Sequence, residues 1–268
     1  MPPIRPHHQA AIDKVVARFQ SDPAIHALVV GGSIAKGIAR DYSDVDMFFI
    51  VTEEDYALRQ RESRLFFCLH DLTDYPGSHS FIDVKVQSLS FLREAARCGS
   101  EPTRNSFIDA FCVFARDSRE TIANLLAGIT VYPEQGRLEK ITSFLAQIEL
   151  NRIYFFGEAE RENDPYLMHR VISDLVLFGG RLILAHNRIF FPSHKRLLET
   201  VARAPEKPAD FIPLAHALLK NPTREAMVKF CDTVVGFTNW TPTSDLVTRF
   251  IEDSELSWLT RKPSIADT

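Results

Sequence analysis

Apolar residues recur along the chain with two different periods, and the change from one to the other divides it. Ile12, Val15, Val16 and Phe19 fall at i, i+3, i+4 and i+7, which predicts an amphipathic helix stopped by Ser21-Asp22-Pro23. Short apolar runs follow at residues 24–30, closed by Gly31-Gly32, and at 45–51 (Val-Asp-Met-Phe-Phe-Ile-Val); both read as strands. Residues 81–86 (Phe-Ile-Asp-Val-Lys-Val) alternate apolar and polar, a third strand. A fourth is expected within 106–115, around Phe107, Ile108, Phe111, Val113 and Phe114, while 53–68 and 90–98 between the strands carry helical patterning. The first half is thus predicted to be an α/β domain, a small mixed sheet with flanking helices, over residues 1–132.

After Pro133 the strand signals stop. Ile141, Phe144, Leu145, Ile148 and Phe155 keep a helical period, and 166–187 is a long helix opened by Asn163-Asp164-Pro165, with the proline at a tolerated first-turn position. Shorter helical segments are expected at 195–202, 209–220, 223–237 and 244–259. Residues 133–268 therefore read as an all-α helical bundle of ordinary domain size.

Composition narrows the class. The 268 residues are 45% apolar and 25% charged, with Lys+Arg 31 against Asp+Glu 35, which excludes disordered and collagen-like chains. A net charge of −4 argues against a broad basic surface for bulk nucleic acid, and leaves a few basic residues free to hold one nucleotide. Cys68, Cys98, Cys112 and Cys231 are scattered, with no CxxC, Cys/His cluster or HExxH, so a structural zinc is not expected. They read as four reduced, buried thiols. The segment 1–8 lacks the apolar core of a signal peptide, and the most apolar stretch, 175–185, is interrupted by Gly179, Gly180 and Arg181. A soluble cytoplasmic protein with no membrane contact is the expectation.

The candidate chemistry lies between the first two strands. In Gly31-Gly32-Ser33-Ile34-Ala35-Lys36-Gly37 the glycines permit close approach of a ligand to the backbone. Ser33 is placed to cap a short helical turn, and Lys36 and Arg40 stand nearby; such a turn suits a polyphosphate. A Gly-rich turn between elements is the alternative for that stretch, and an exposed loop position the alternative for Arg40. Asp44 and Asp46 frame Val45 at the head of the 45–51 strand, so the two carboxylates share one face while Val45 turns into the core. Two carboxylates side by side repel unless a cation lies between them; ion pairing to a lysine or arginine is one solution, and Mg²⁺ shared with substrate phosphates is the commoner arrangement in nucleotide transfer. Asp83 sits mid-strand among apolar residues; beside the 45–51 strand it completes a cluster of three, and a solvent-facing position is its alternative.

Gly32-Ser33, then Asp44-x-Asp46, then Asp83 on a later strand, resemble the signature of the polymerase-β-like nucleotidyltransferases. The text Gly-Ser-Ile-Ala-Lys-Gly-Ile-Ala…Ser-Asp-Val-Asp resembles the branch of aminoglycoside and lincosamide nucleotidyltransferases, over roughly residues 24–90. The resemblance implies a nucleotidyltransferase domain at 1–132 and a helical substrate-binding domain at 133–268. It implies two Mg²⁺ ions on Asp44, Asp46 and Asp83, the last also close enough to assist deprotonation. Gly32, Ser33 and Lys36 would contact the triphosphate of an NTP, with ATP expected. A nucleoside monophosphate would pass to a hydroxyl of a small molecule or protein, and pyrophosphate would leave. A homodimer is compatible with the resemblance.

The acceptor is expected between the sheet and the helical half. Arg170, Asp174 and Arg181 form a polar stripe on the 166–187 helix, lining a cleft or making an ion-paired seam between helices, the seam ranked ahead. Glu158, Glu160, Glu162 and Asp164 make an acidic connection that is either solvated or attractive to a cationic acceptor. The resemblance also allows a carboxylate of the helical half as general base, with Glu149 and Glu158 as the candidates and no motif to choose between them. Arg181 and His186 have the Arg-x4-His spacing of HEPN-type ribonucleases, though on a straight helix they lie about 140° apart. A HEPN-like ribonuclease with an accessory nucleotide-binding domain, and a non-catalytic nucleotide-binding regulator, are therefore the two rival readings.

Overall fold

A computed structural model describes residues 3–74 and 81–260. Met1 and Pro2, the start of the segment read against a signal peptide, lie outside the described residues. The chain forms two compact units, 1–131 and 132–268.

In the first unit, α1 (Pro6–Phe19), β1 (Ile25–Val30), a one-turn α2 (Gly32–Ala35) and β2 (Val45–Val51) come first. They are followed by α3 (Glu53–Arg61), β3 (Phe66–Leu69), β4 (Ile82–Ser88), α4 (Leu89–Cys98), α5 (Glu101–Ser106), β5 (Phe111–Ala115) and α6 (Arg119–Ile129). The five strands make one mixed sheet in the order β3-β4-β2-β1-β5. β2 and β4 are parallel, and the other neighbours are antiparallel.

The unbroken apolar run of β2 follows from burial on both faces. Val45, Met47, Phe49 and Val51 pack with Ile82, Val84 and Val86 of β4 and with Ile12 and Val15 of α1. Phe48 and Ile50 point the other way, into a second core with Leu92 of α4 and Ile122 and Leu126 of α6. Serine and threonine caps start the helices: Thr52, Ser88, Ser100 and Ser118 each accept a backbone N–H of the first turn of α3, α4, α5 and α6.

Two expectations are corrected here. The helix read over 53–68 ends at Arg61, because Ser63 takes a left-handed φ of 54° and 66–69 pairs with β4 as an edge strand. The strand read over 106–115 is only Phe111–Ala115; Ser106 ends α5, and a turn through Asp109 at φ 58° separates the two. The thiols are free but not all buried. Cys231 alone is fully buried, which pushes its thiol up to about 12, while Cys98 is exposed at the end of α4.

Among its described residues the second unit contains helices and connecting turns and no strand. α7 (Arg137–Leu150) runs through a π turn (Asn151–Phe155) into α8 (Phe156–Arg161), and α9 (Pro165–His186) follows, capped by Asp164. After a 3₁₀ turn at His194–Arg196 come α10 (Leu197–Arg203), α11 (Phe211–Lys220), α12 (Arg224–Val235) and α13 (Leu246–Asp253). α9 is the central helix, packed against α7, α8, α10, α11 and α12 through a face that includes Val171, Leu175, Leu182 and Ile183. Among the described residues no helix is long and apolar enough to cross a membrane.

Candidate active site

The parallel register of β2 and β4 sets Asp46 directly beside Asp83. Both lie on the face opposite the Val45 and Ile82 side chains, which are fully buried. Asp44 directly precedes β2, and one carboxylate oxygen of each of Asp44, Asp46 and Asp83 lies within 4.8 Å of the others. The three acids singled out in the sequence thus meet at one end of two paired strands.

Residues not expected from the sequence complete their surroundings. Lys85, two positions beyond Asp83 and so on the same face, places Nζ 3.2 Å from Asp46 Oδ1 and 5.8 Å from the centre of the Phe48 ring. Cys68 of β3 pairs with Asp83 in register, and its Sγ donates to Asp83 Oδ1 at 3.2 Å. Burial, then the Asp83 hydrogen bond and the charges of Asp83 and Asp44, push this thiol above its ordinary value, so it stays a donor. Alternation along β4 already contained the signal for Lys85. Cys68 was hidden by the helical reading of its segment.

The turn after β1 is built around the second acid. Gly31 N–H donates to the Asp46 carbonyl at 3.0 Å, which ties the turn to β2. Gly32 adopts φ +62°, and a Cβ placed on it would lie 2.6 Å from Asp46 Cγ, so a side chain and the carboxylate cannot both occupy the space. The helical turn begins at Gly32 with Gly31 as its N-cap, one residue earlier than expected, so Ser33 is not the cap. Its Oγ is instead buried and has no hydrogen-bond partner among the described residues. Lys36 closes the turn, with Nζ donating to Asn105 Oδ1 at 2.9 Å.

The segment from Gly37 to Asp44 is clamped by the start of α1. Arg5 pairs with Asp41 at 2.6 Å, His7 Nε2 donates to the Asp41 carbonyl and His8 Nε2 to the Ser43 carbonyl, each at 3.0 Å. His8 therefore fixes the backbone one residue before Asp44. Arg40 is exposed, with its guanidinium on the Tyr42 hydroxyl at 2.7 Å and its backbone N–H donating to Ser43 Oγ at 2.9 Å.

These residues fit a hard divalent cation with a polyphosphate beside it. The donors are all carboxylate oxygens, the set that Mg²⁺ prefers over softer metals. Buried hydroxyls are ordinarily satisfied, so the orphaned Ser33 Oγ next to the side-chain-free Gly32 marks a place where a polar group is wanted.

The candidates in the helical unit are dispersed. Arg170 pairs with Asp174 along α9 itself at 2.7 Å. Both line a cavity that also reaches Arg181. Glu158 and Glu162 are held by Arg161, Glu160 pairs with Arg224, and Asp164 caps α9. Every acid of that connection is therefore engaged, Glu160 by an arginine of α12. Arg181 packs between the Phe144 and Phe191 rings, its guanidinium carbon 4.6 and 4.5 Å from their centres. His186 instead meets Glu206 at 2.8 Å and the rings of Phe237 and Trp240, so the pair with HEPN spacing occupies two different environments.

No protein-family model and no curated protein matches this sequence. Among solved structures, the crystal structure of a nucleotidyltransferase-like protein from Exiguobacterium sibiricum 255-15 is similar at 13% sequence identity, over 97% of this chain and 83% of that chain, with a TM-score of 0.48. A likeness this distant says nothing about activity.

Proposed function

We propose that the protein is a Mg²⁺-dependent nucleotidyltransferase of the cytoplasm, moving AMP from ATP to a hydroxyl of a small molecule or protein with release of pyrophosphate. The convergence of Asp44, Asp46 and Asp83 beside the Gly32-Ser33 turn carries this reading.

Asp44, Asp46 and Asp83 would hold the metal, which when bound neutralises triphosphate charge as the α-phosphorus is attacked. The chain's own part is positioning. Gly32 leaves room for a phosphate oxygen against the backbone, Ser33 Oγ supplies a hydrogen bond, and Lys36 adds a cation at the end of the turn. A carboxylate of Asp83 accepts the acceptor's hydroxyl proton as its oxygen bonds to the α-phosphorus. The bond from that phosphorus to the bridging oxygen breaks, and pyrophosphate leaves with the electron pair. The helical unit would select the acceptor.

The test is pyrophosphate release from each of the four NTPs with Mg²⁺, across mixtures of aminoglycosides, lincosamides, proteins and tRNA. Turnover with ATP, lost in Asp46→Asn, is expected. A wild-type protein that binds Mg-ATP and releases no pyrophosphate with any acceptor overturns the reading in favour of a nucleotide-binding regulator.

A further inference from the structure

We infer that the helical unit binds an uncharged, hydroxylated small molecule with an apolar face, of the glycoside kind, in the cavity walled by α7, α9 and α13. The inference concerns binding alone and stands whether or not the carboxylate cluster is catalytic. The cavity holds about 780 Å³, within the roughly 300–1,000 Å³ usual for small-molecule sites.

Its apolar wall is aromatic. Phe144 of α7 and Phe178 of α9 lie with ring centres 6.0 Å apart, and Phe155 of the π turn and Phe250 of α13 lie 5.7 Å apart. The π turn is part of the wall, since Asn151 and Phe155, its first and last residues, both line the cavity. Such turns distort a helix and recur at functional sites. Here the distortion leaves Asn151 buried, its Nδ2 donating to the Gln147 carbonyl at 2.8 Å.

The charge pattern selects the ligand class. Four cationic and four anionic side chains line the cavity, so the wall presents no net charge. The central ones are matched in pairs: Arg170 with Asp174 at 2.7 Å on α9, and Arg249 with Asp253 at 2.8 Å on α13. Arg249 also reaches Ser143 Oγ at 2.9 Å and Glu139 at 3.2 Å. Arg181 is held against Phe144.

A polycation or polyanion meets as many like charges as opposite ones on this wall, so charge gives it no net attraction. An uncharged ligand needs none. The pairs nevertheless keep hydrogen-bonding capacity, because a carboxylate accepts at about four positions and a guanidinium donates from five N–H groups. Phenyl rings on one side and such polar groups on the other suit a sugar-like molecule, which has an apolar face and a rim of hydroxyls.

The full-length protein is titrated calorimetrically with phenyl β-D-glucoside, methyl β-D-glucoside, spermidine and benzoate. One-to-one binding of the phenyl glucoside is expected, with each other probe weaker by about tenfold or more. Gln147→Trp inserts a ring into the cavity from a partly exposed position on α7 and should weaken the phenyl glucoside by about tenfold, with the melting temperature retained. Phe178→Leu should do the same, and it serves as the readout if Gln147→Trp does not fold. A phenyl glucoside that does not bind, tighter binding of spermidine or benzoate, or glucoside binding unmoved in the folded variant would each overturn the inference. Because pyrophosphate release is not measured, failure here leaves the nucleotidyltransferase reading untouched, and the reverse also holds.

Discussion

Gly32 and the Asp46 carboxylate compete for one space: a Cβ on residue 32 would lie 2.6 Å from Asp46 Cγ and 2.8 Å from Asp46 Cβ. The backbone adds to the constraint, since φ at Gly32 is +62°, a conformation that costs an L-residue about 1–2 kcal/mol. Gly32→Ala therefore strains the turn and displaces the second acid of the cluster. Pyrophosphate release is expected to fall about a hundredfold, the order seen when a reacting group moves by an ångström. Circular dichroism should remain that of the wild type, because the core residues behind the turn are unchanged. Activity retained in Gly32→Ala would separate the turn from the site.

Lys85 sets a second test. Its ammonium is the cation seen beside Asp46, with side-chain exposures of 43% and 24% for Lys85 and Asp46, and a pair this open contributes about 0.2–1 kcal/mol. Lys85→Met leaves three carboxylates within 4.8 Å of one another without that counter-charge. The variant should melt lower than wild type in EDTA, and added Mg²⁺ should raise its melting temperature by more than it raises that of the wild type. Equal Mg²⁺ shifts in the two proteins would remove the cluster as the binding site.

The two residues just named differ in how far the sequence disclosed them. Asp44, Asp46 and Asp83 were legible because strand alternation and a short Gly-Ser turn are local patterns, and local patterns survive without knowledge of the partner strand. Lys85 obeyed the same alternation but lacked a motif, so nothing separated it from any exposed lysine. Cys68 was not legible. Its edge strand follows a helix with no proline or glycine between them, and only pairing with β4 decides that residues 66–69 are extended. The cavity of the helical unit was out of reach for another reason: Arg170 and Asp174 announce a pair, but which helix faces them depends on the packing of α13.

His8 gives the fold a pH dependence with a definite sign. Its ring is almost fully buried, and burial foremost, then the neighbouring His7, holds its pKa below 6.5. The folded protein therefore binds fewer protons at His8 than the unfolded chain once the pH drops below about 6.5, and stability falls with falling pH until the folded value is passed. Urea denaturation should give a lower midpoint at pH 5.5 than at pH 7.5. His8→Gln, which cannot titrate, should narrow that difference even if it is less stable at both. An unchanged difference would assign the acid sensitivity to other groups.

Arg104 ties together two helix ends of the first unit. Its guanidinium is buried and donates to four carbonyls: Gly99 and Ala96 at the end of α4, and Ile129 and Val131 at and beyond the end of α6, at 2.9 to 3.3 Å. Helix C-termini concentrate unsatisfied carbonyls and partial negative charge, and one planar cation serves both. Arg104→Ala should cost about 3–5 kcal/mol, the range for removing one partner of a buried charged contact. Arg104→Lys should recover little, since a single ammonium lacks the fork that spans two helix ends. Equilibrium urea unfolding of the three proteins measures both statements.

Arg181 and His186 decide the ribonuclease rival. A ribonuclease using both would need them at one reacting phosphate, yet the Arg181 guanidinium lies between two phenyl rings and His186 is turned to Glu206, Phe237 and Trp240. Each cation–ring contact of a desolvated arginine is worth about 0.5–2 kcal/mol, so Arg181→Ala should lower stability by about 1–3 kcal/mol, where a catalytic arginine at the surface would lower activity alone. His186→Ala should destabilise less, because it gives up one partly solvated contact to Glu206 and the edges of two rings. Purified wild-type protein should leave a single-stranded RNA uncut, as should both variants. Cleavage by the wild type that His186→Ala abolishes at unchanged stability would restore the rival reading and move the chemistry of this chain from its sheet to its central helix.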